Sequence, residues 1–187
     1  MDAETETETT AMQQITDQDT ARRALNKVRD DLKRAVDSLS DRTDDMRDKV
    51  VATRPKGLLT VDEMAQAIKR DRNYVDSIWS AHGETTKGKQ TRVPVAEDAD
   101  PERARFEYES LVNVAADQRR ALGLVTTARA ERDRVVALVY GSKLLGPSAI
   151  AAAVDVDRNH VLRIARKAGV KPVHRTGSKN QYTTTSK

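Results

Sequence analysis

The sequence predicts an all-α protein in which one helical unit is used twice, each copy led by a long amphipathic helix. The first observation behind this is a repeat: DRNYV at residues 71–75 returns as DRNHV at 157–161, an offset of 86 residues. Sliding 56–83 onto 142–169 without a gap gives ten identities in 28 positions: Leu58/Leu144, Leu59/Leu145, Ala65/Ala151, Ala67/Ala153, Asp71/Asp157, Arg72/Arg158, Asn73/Asn159, Val75/Val161, Ile78/Ile164 and Gly83/Gly169. Self-similarity of this kind marks one structural unit used again. The match continues upstream through Leu25, Val28, Asp31, Arg34, Ala35 and Val50, which meet Leu111, Val114, Asp117, Arg120, Ala121 and Val136, so the copies run roughly 24–83 and 110–169. The second observation is apolar spacing alternating between three and four, the period of a helix. The third is helix punctuation at matching places in both copies.

In chain order, residues 1–19 carry Asp2, Glu4, Glu6, Glu8, Asp17 and Asp19 with no base, and have the composition of a disordered acidic tail. Residues 20–83 hold the first long helix and a bihelical segment. The long helix presents Leu25, Val28, Leu32, Ala35, Leu39 and Met46 as a narrow stripe, interrupted at Arg42. The short helix opens at Thr60-Val61-Asp62-Glu63, a capping box in which hydroxyl and carboxylate each satisfy the other residue's amide. Asp71 then caps a second helix that stops at Gly83.

Residues 84–101 are polar, lack periodicity, contain two prolines and read as a linker with a basic arm. In 102–170 the stripe returns as Leu111, Val114, Ala121, Val125, Ala128, Val135 and Val139, interrupted at Gln118 and Arg132. Pro147 starts the short helix, Asp157 caps the next and Gly169 ends it. Residues 171–187 read as a basic, flexible tail. Stripes this narrow want a partner helix, either the other copy's long helix or the same helix of a second chain in a homodimer. Ser38 to Asp41 and the pair Thr126-Thr127 are points where each long helix could break in two.

The whole chain has 33 Lys+Arg against 29 Asp+Glu, and the location of the charge matters more than its sum. From Leu138 to the end, nine bases face Asp155 and Asp157 only, a local net of +7, which points to a polyanionic partner. With no cysteine, disulfides and thiolate metal sites are excluded. His82, His160 and His174 lack the neighbours of a metal site, and neither a phosphate loop, a dinucleotide-binding glycine pattern nor a nucleophile elbow is present. No enzyme activity and no cofactor are expected. Apolar runs are far shorter than the roughly 20 residues that span a bilayer. The amphipathic faces lack bulky inserting side chains, so no membrane partner is expected. The expected setting is cytoplasmic and nucleoid-associated.

The segment PSAIAAAVDVDRNHVLRIARKAG resembles the helix-turn-helix of DNA-binding proteins, in particular the homeodomain-like trihelical units of resolvase/invertase-type recombinases and of bacterial, plasmid and phage regulators. In that likeness Ala151 lets two helices cross closely, Val156 lies on the buried side of the turn, and Val161 and Ile164 face inward; copy one matches at Ala65, Val75 and Ile78. It departs at Arg70, which replaces the apolar turn residue, and at Lys69 and Asp155, where the family usually has glycine. The resemblance implies a second helix laid in the major groove of double-stranded DNA. Its outward residues are Arg158, Asn159, His160, Leu162 and Arg163, with Arg166, Lys167, Lys171 and Arg175 toward phosphates; in copy one they are Arg72, Asn73, Tyr74, Asp76 and Ser77. Arg suits a guanine edge and Asn an adenine edge. The implied function is sequence-specific DNA binding by a regulator or repressor, with copy two the stronger reader. The two units could sit about one helical turn, near 34 Å, apart on DNA. The competing readings are a coiled-coil scaffold or adaptor that binds protein, and a DNA-binding accessory of a recombination or partition complex.

Overall fold

The structure is a computed structural model that describes residues 15–81 and 100–171. The described residues contain helices and turns and no strand. They run α1 (Gln18–Thr53), a 3-10 turn (Arg54–Lys56), α2 (Val61–Ile68), α3 (Arg72–Ala81), α4 (Pro101–Ser142), α5 (Pro147–Ala153) and α6 (Arg158–Lys167). The protein is all-α, as its periodicity predicts.

Both long helices are continuous, and neither Ser38 to Asp41 nor Thr126-Thr127, the points at which they could break, interrupts them. Hydroxyls near those points stay within the helix: Thr43 Oγ1 donates to the Leu39 carbonyl at 2.7 Å and Thr126 Oγ1 to that of Leu122 at 3.0 Å. Side chains bonded to the preceding turn do not compete for a different backbone course. α1 starts two residues before the boundary at 20 because Asp17 Oδ1 accepts from the amides of Asp19 and Thr20. α4 starts at Pro101, behind Asp100, whose carboxylate accepts from the Glu102 amide at 2.9 Å.

The described chain forms two compact units, and they do not coincide with the two sequence copies. One unit contains α2 and α3 and is built from residues 31–81 and 100–129; the other contains α5 and α6 and is built from 15–30 and 130–171. Each short helix pair therefore packs on the end of its own long helix and on the start of the other.

In the α2–α3 unit, Met46, Val50, Met64, Ala65, Ala67, Ile68, Val75 and Ile78 share a core with Leu111 and Ala115 of α4. The two long-helix segments run antiparallel there: Gln118 Nε2 donates to Thr43 Oγ1 at 3.3 Å, while Glu107 meets Lys49, Thr53 and Lys56. Gln118, an interruption of the apolar stripe, thus finds a partner across the seam. Glu107 is buried. Burial alone would push its carboxyl up, but hydrogen bonds and charge from Lys49 and Lys56 outweigh that and bring it from 4.5 down to about 2.

In the α5–α6 unit, Ala21, Leu25 and Val28 of α1 join Val135, Val136, Val139, Tyr140, Leu145, Ile150, Ala151, Val154, Val161, Ile164 and Ala165. Repeat partners take the same places in the two cores: Leu25 and Leu111, Val50 and Val136, Met64 and Ile150, Val75 and Val161 are all fully buried. Matching surface pairs recur too, with Arg34 on Asp31 and Arg120 on Asp117.

Candidate nucleic-acid interface

The candidate interface is the outer face of α6, with α3 as its counterpart in the other unit. Both helices are opened by the same device. Asp71 Oδ1 accepts from the Tyr74 amide and Asp157 Oδ1 from the His160 amide, each at 2.8 Å. The turns that precede them also agree. Lys69 and Asp155 hold left-handed backbone (φ 55 and 54), and the next residue's amide reaches back, Arg70 to the Ala65 carbonyl and Val156 to that of Ala151, each at 3.0 Å. Thr60 and Glu63 make the capping box in full, and Pro147 stands at the start of α5. The fully buried residue at the copy-two turn is Val154; Val156 is half-buried against the core, and its counterpart Arg70 is exposed, 5.3 Å over the Tyr74 ring. Gly169 ends α6 in left-handed backbone with the Val170 amide on the Ala165 carbonyl at 2.9 Å, whereas Gly83 lies outside the described residues.

α6 separates its faces. Val161, Ile164 and Ala165 are buried, while Arg158, Asn159, Arg163, Arg166 and Lys167 are exposed and His160 and Leu162 are half-buried. Asp157, Asn159, His160, Leu162, Arg163 and Arg166 line a shallow concavity on this face. Among the described residues, Arg158, Arg166, Lys167 and Lys171 make no ion pair. Arg163 Nη2 sits 2.7 Å from His160 Nδ1, and Arg132 Nη2 lies 3.5 Å from His160 Nε2. The His160 ring thus lies between two guanidinium groups, with Arg163 the nearer. Arg132, which interrupts the apolar stripe of α4, takes Asp133 at 2.6 Å.

α3 is differently charged. Over 61–81 three bases face four acids, whereas over 147–171 five bases face two. Arg72 stands between Asp62 Oδ2 at 3.7 Å and Asp76 Oδ2 at 3.8 Å. Asp76 in turn faces the buried Arg54, whose Nη1 is 3.0 Å from Asp76 Oδ1 and whose guanidinium lies 4.9 Å over the Trp79 ring. Arg54 Nε has no hydrogen-bond partner among the described residues. Asn73 is exposed, Tyr74 half-buried, and Ser77 Oγ donates to the Tyr74 carbonyl at 2.7 Å.

The sequence-predicted residues thus fall into two separate sets, Arg158, Asn159, His160, Arg163, Arg166, Lys167 and Lys171 around α6 and Arg72, Asn73, Tyr74 and Ser77 on α3. Arg175 lies outside the described residues. Sequence reasoning missed Arg54, Asp62 and Trp79 behind Arg72, and Arg132 behind His160. The signal was present in the repeat, since Arg54, Asp76 and Trp79 replace Tyr140, Leu162 and Ala165 at the 86-residue offset.

Among the described residues no helix is long and apolar enough to cross a membrane, and no group of acidic or histidine side chains could hold a metal ion. No family model, curated protein or solved structure matches the chain.

Proposed function

We propose that this chain binds double-stranded DNA in a sequence-specific way through tandem helix-turn-helix units, with α6 as the principal reading helix, in a regulatory or repressor role. One observation carries the reading. α6 keeps its apolar residues inward and turns Arg158, Asn159, Arg163, Arg166 and Lys167 outward, with no carboxylate paired to any of these cations among the described residues. Unneutralised guanidinium and ammonium groups on one helix face suit phosphates and guanine edges, and an exposed Asn at the second helical position suits an adenine edge. The α3 face supports a weaker role, since its one outward arginine already lies between two carboxylates.

A second reading, a protein-binding scaffold, is favoured by Phe106 and Leu124 of α4, which are 69% and 60% exposed and stand five helical turns apart on one face. Fluorescence anisotropy of the protein with mixed-sequence duplexes across a salt series tests the first reading. DNA binding should weaken with a log–log slope of several, because each phosphate neutralised releases about one counterion. Absence of binding at low salt would exclude DNA and leave the scaffold.

A further inference from the structure

Each unit contains a socket that receives the start of a long helix, and the two sockets differ in kind at equivalent positions. In the α2–α3 unit the start of α4 brings Glu107, whose side chain is 9% exposed, to Lys49 Nζ at 2.9 Å, Lys56 Nζ at 2.5 Å and Thr53 Oγ1 at 3.2 Å. In the α5–α6 unit the residue 86 positions from Glu107 is Ala21, and those matching Lys49, Thr53 and Lys56 are Val135, Val139 and Ser142. Ala21, Val135 and Val139 are buried together in the apolar core of that unit.

We propose that these four positions form a partner key, which directs the start of α4 to the α2–α3 unit and the start of α1 to the α5–α6 unit. The occupants of both sockets are segments of this chain. What the key excludes is like-with-like pairing, in which two copies of the same repeat exchange helix starts with each other. Ala21 in the polar socket would leave Lys49 and Lys56 without their carboxylate. Glu107 in the apolar socket would bury an ionised group against Val135 and Val139. Breaking a buried pair or burying a lone charge is strongly unfavourable, whereas the matched arrangement is merely tolerated, so the set acts on selection more than on stability. A single buried polar position that picks among equivalent helix pairings is the best-attested use of such groups. The shared apolar pairs of the seam do not discriminate, because Leu25/Leu111, Val50/Val136 and Met64/Ile150 are apolar and buried in both units.

The test uses the full chain with a protease site inserted between residues 84 and 99. After cleavage, the nicked protein is denatured, refolded and weighed by native mass spectrometry. The native sequence should return pairs of unlike halves over like halves by at least about tenfold relative to random pairing, as expected when one like pair buries a lone carboxylate and the other leaves two lysines without theirs. The variant Lys49→Val/Thr53→Val/Lys56→Ser/Glu107→Ala, which makes both sockets apolar, should fall to near-random pairing and yield like-with-like dimers of both halves. The proposal is overturned if that variant stays as selective as the native chain, or if the native halves scramble or separate. Should the fourfold variant fail to regain helicity by circular dichroism, Lys49→Val/Glu107→Ala is read in the same way, and native selectivity there overturns the proposal equally.

Discussion

Lys69 and Asp155 stand 86 residues apart and share one backbone state, φ 55 and 54, each immediately before an amide that closes back on an alanine carbonyl at 3.0 Å. The turn demands left-handed geometry twice, and twice a residue with a Cβ meets it at a penalty of about 1 kcal/mol. Glycine there removes the penalty. Lys69→Gly and Asp155→Gly should each raise stability by about 0.5–1 kcal/mol, partly offset by the freer unfolded chain. Urea unfolding midpoints check this; a lowered midpoint in both variants would show that the side chains contribute more than their strain.

The Glu107 carboxyl gives stability a definite pH dependence. Its folded value near 2 lies below its ordinary 4.5, so the folded state favours the ionised form. That contribution is fully present above pH 4.5 and is lost as pH falls through about 2, amounting to at most about 3 kcal/mol. Glu107→Gln should flatten the melting temperature between pH 5 and 2 relative to the native protein. An unchanged acid slope would place the dependence on other carboxylates.

Arg158 and Arg163 should dominate DNA affinity. Arg158→Ala/Arg163→Ala is expected to weaken binding by roughly 30-fold or more, at about 1–3 kcal/mol for each of the two lost contacts, and to lower the salt slope. Arg72→Ala should cost less than about threefold, since Arg72 is already engaged by Asp62 and Asp76. The reverse ranking, measured by anisotropy, would move the reading helix to α3.

Asp62→Ser/Asp76→Asn should raise affinity by removing two carboxylates from the α3 face while leaving Arg54 an oxygen to face. A gain of several-fold at low salt, shrinking as salt rises, is the expected signature of released Arg72. No gain in a variant that still melts like the native protein would mean that α3 stands off the DNA.

The elements were legible from short-range chemistry. The capping box at Thr60 and Glu63, the caps at Asp71 and Asp157, and the stop at Gly169 are local events that the residues themselves dictate. The pairing of segments was not, because Leu25 and Leu111 are interchangeable as apolar residues and spacing alone cannot say which helix pair covers which start. The information lies in the mismatches of the repeat, Glu107 with Ala21 and Lys49 with Val135. The α6 face followed from helical periodicity alone. The quieting of Arg72 did not, because Asp62 reaches it across the turn and Arg54 supports Asp76 from a segment 22 residues earlier.

The interleaved construction also governs how the chain can fold as it is synthesised. Residues 31–81 leave the ribosome with Met46, Val50 and Met64 lacking the cover that Leu111 and Ala115 later provide. The first helix start, with Ala21, Leu25 and Val28, must wait still longer, until α5 and α6 emerge. Domains that fold as they are translated normally complete from the N-terminus onward. Here neither core can close before the start of the second repeat has been translated, so a transcript interrupted between the repeats yields a product with an apolar surface at both ends and a finished unit at neither.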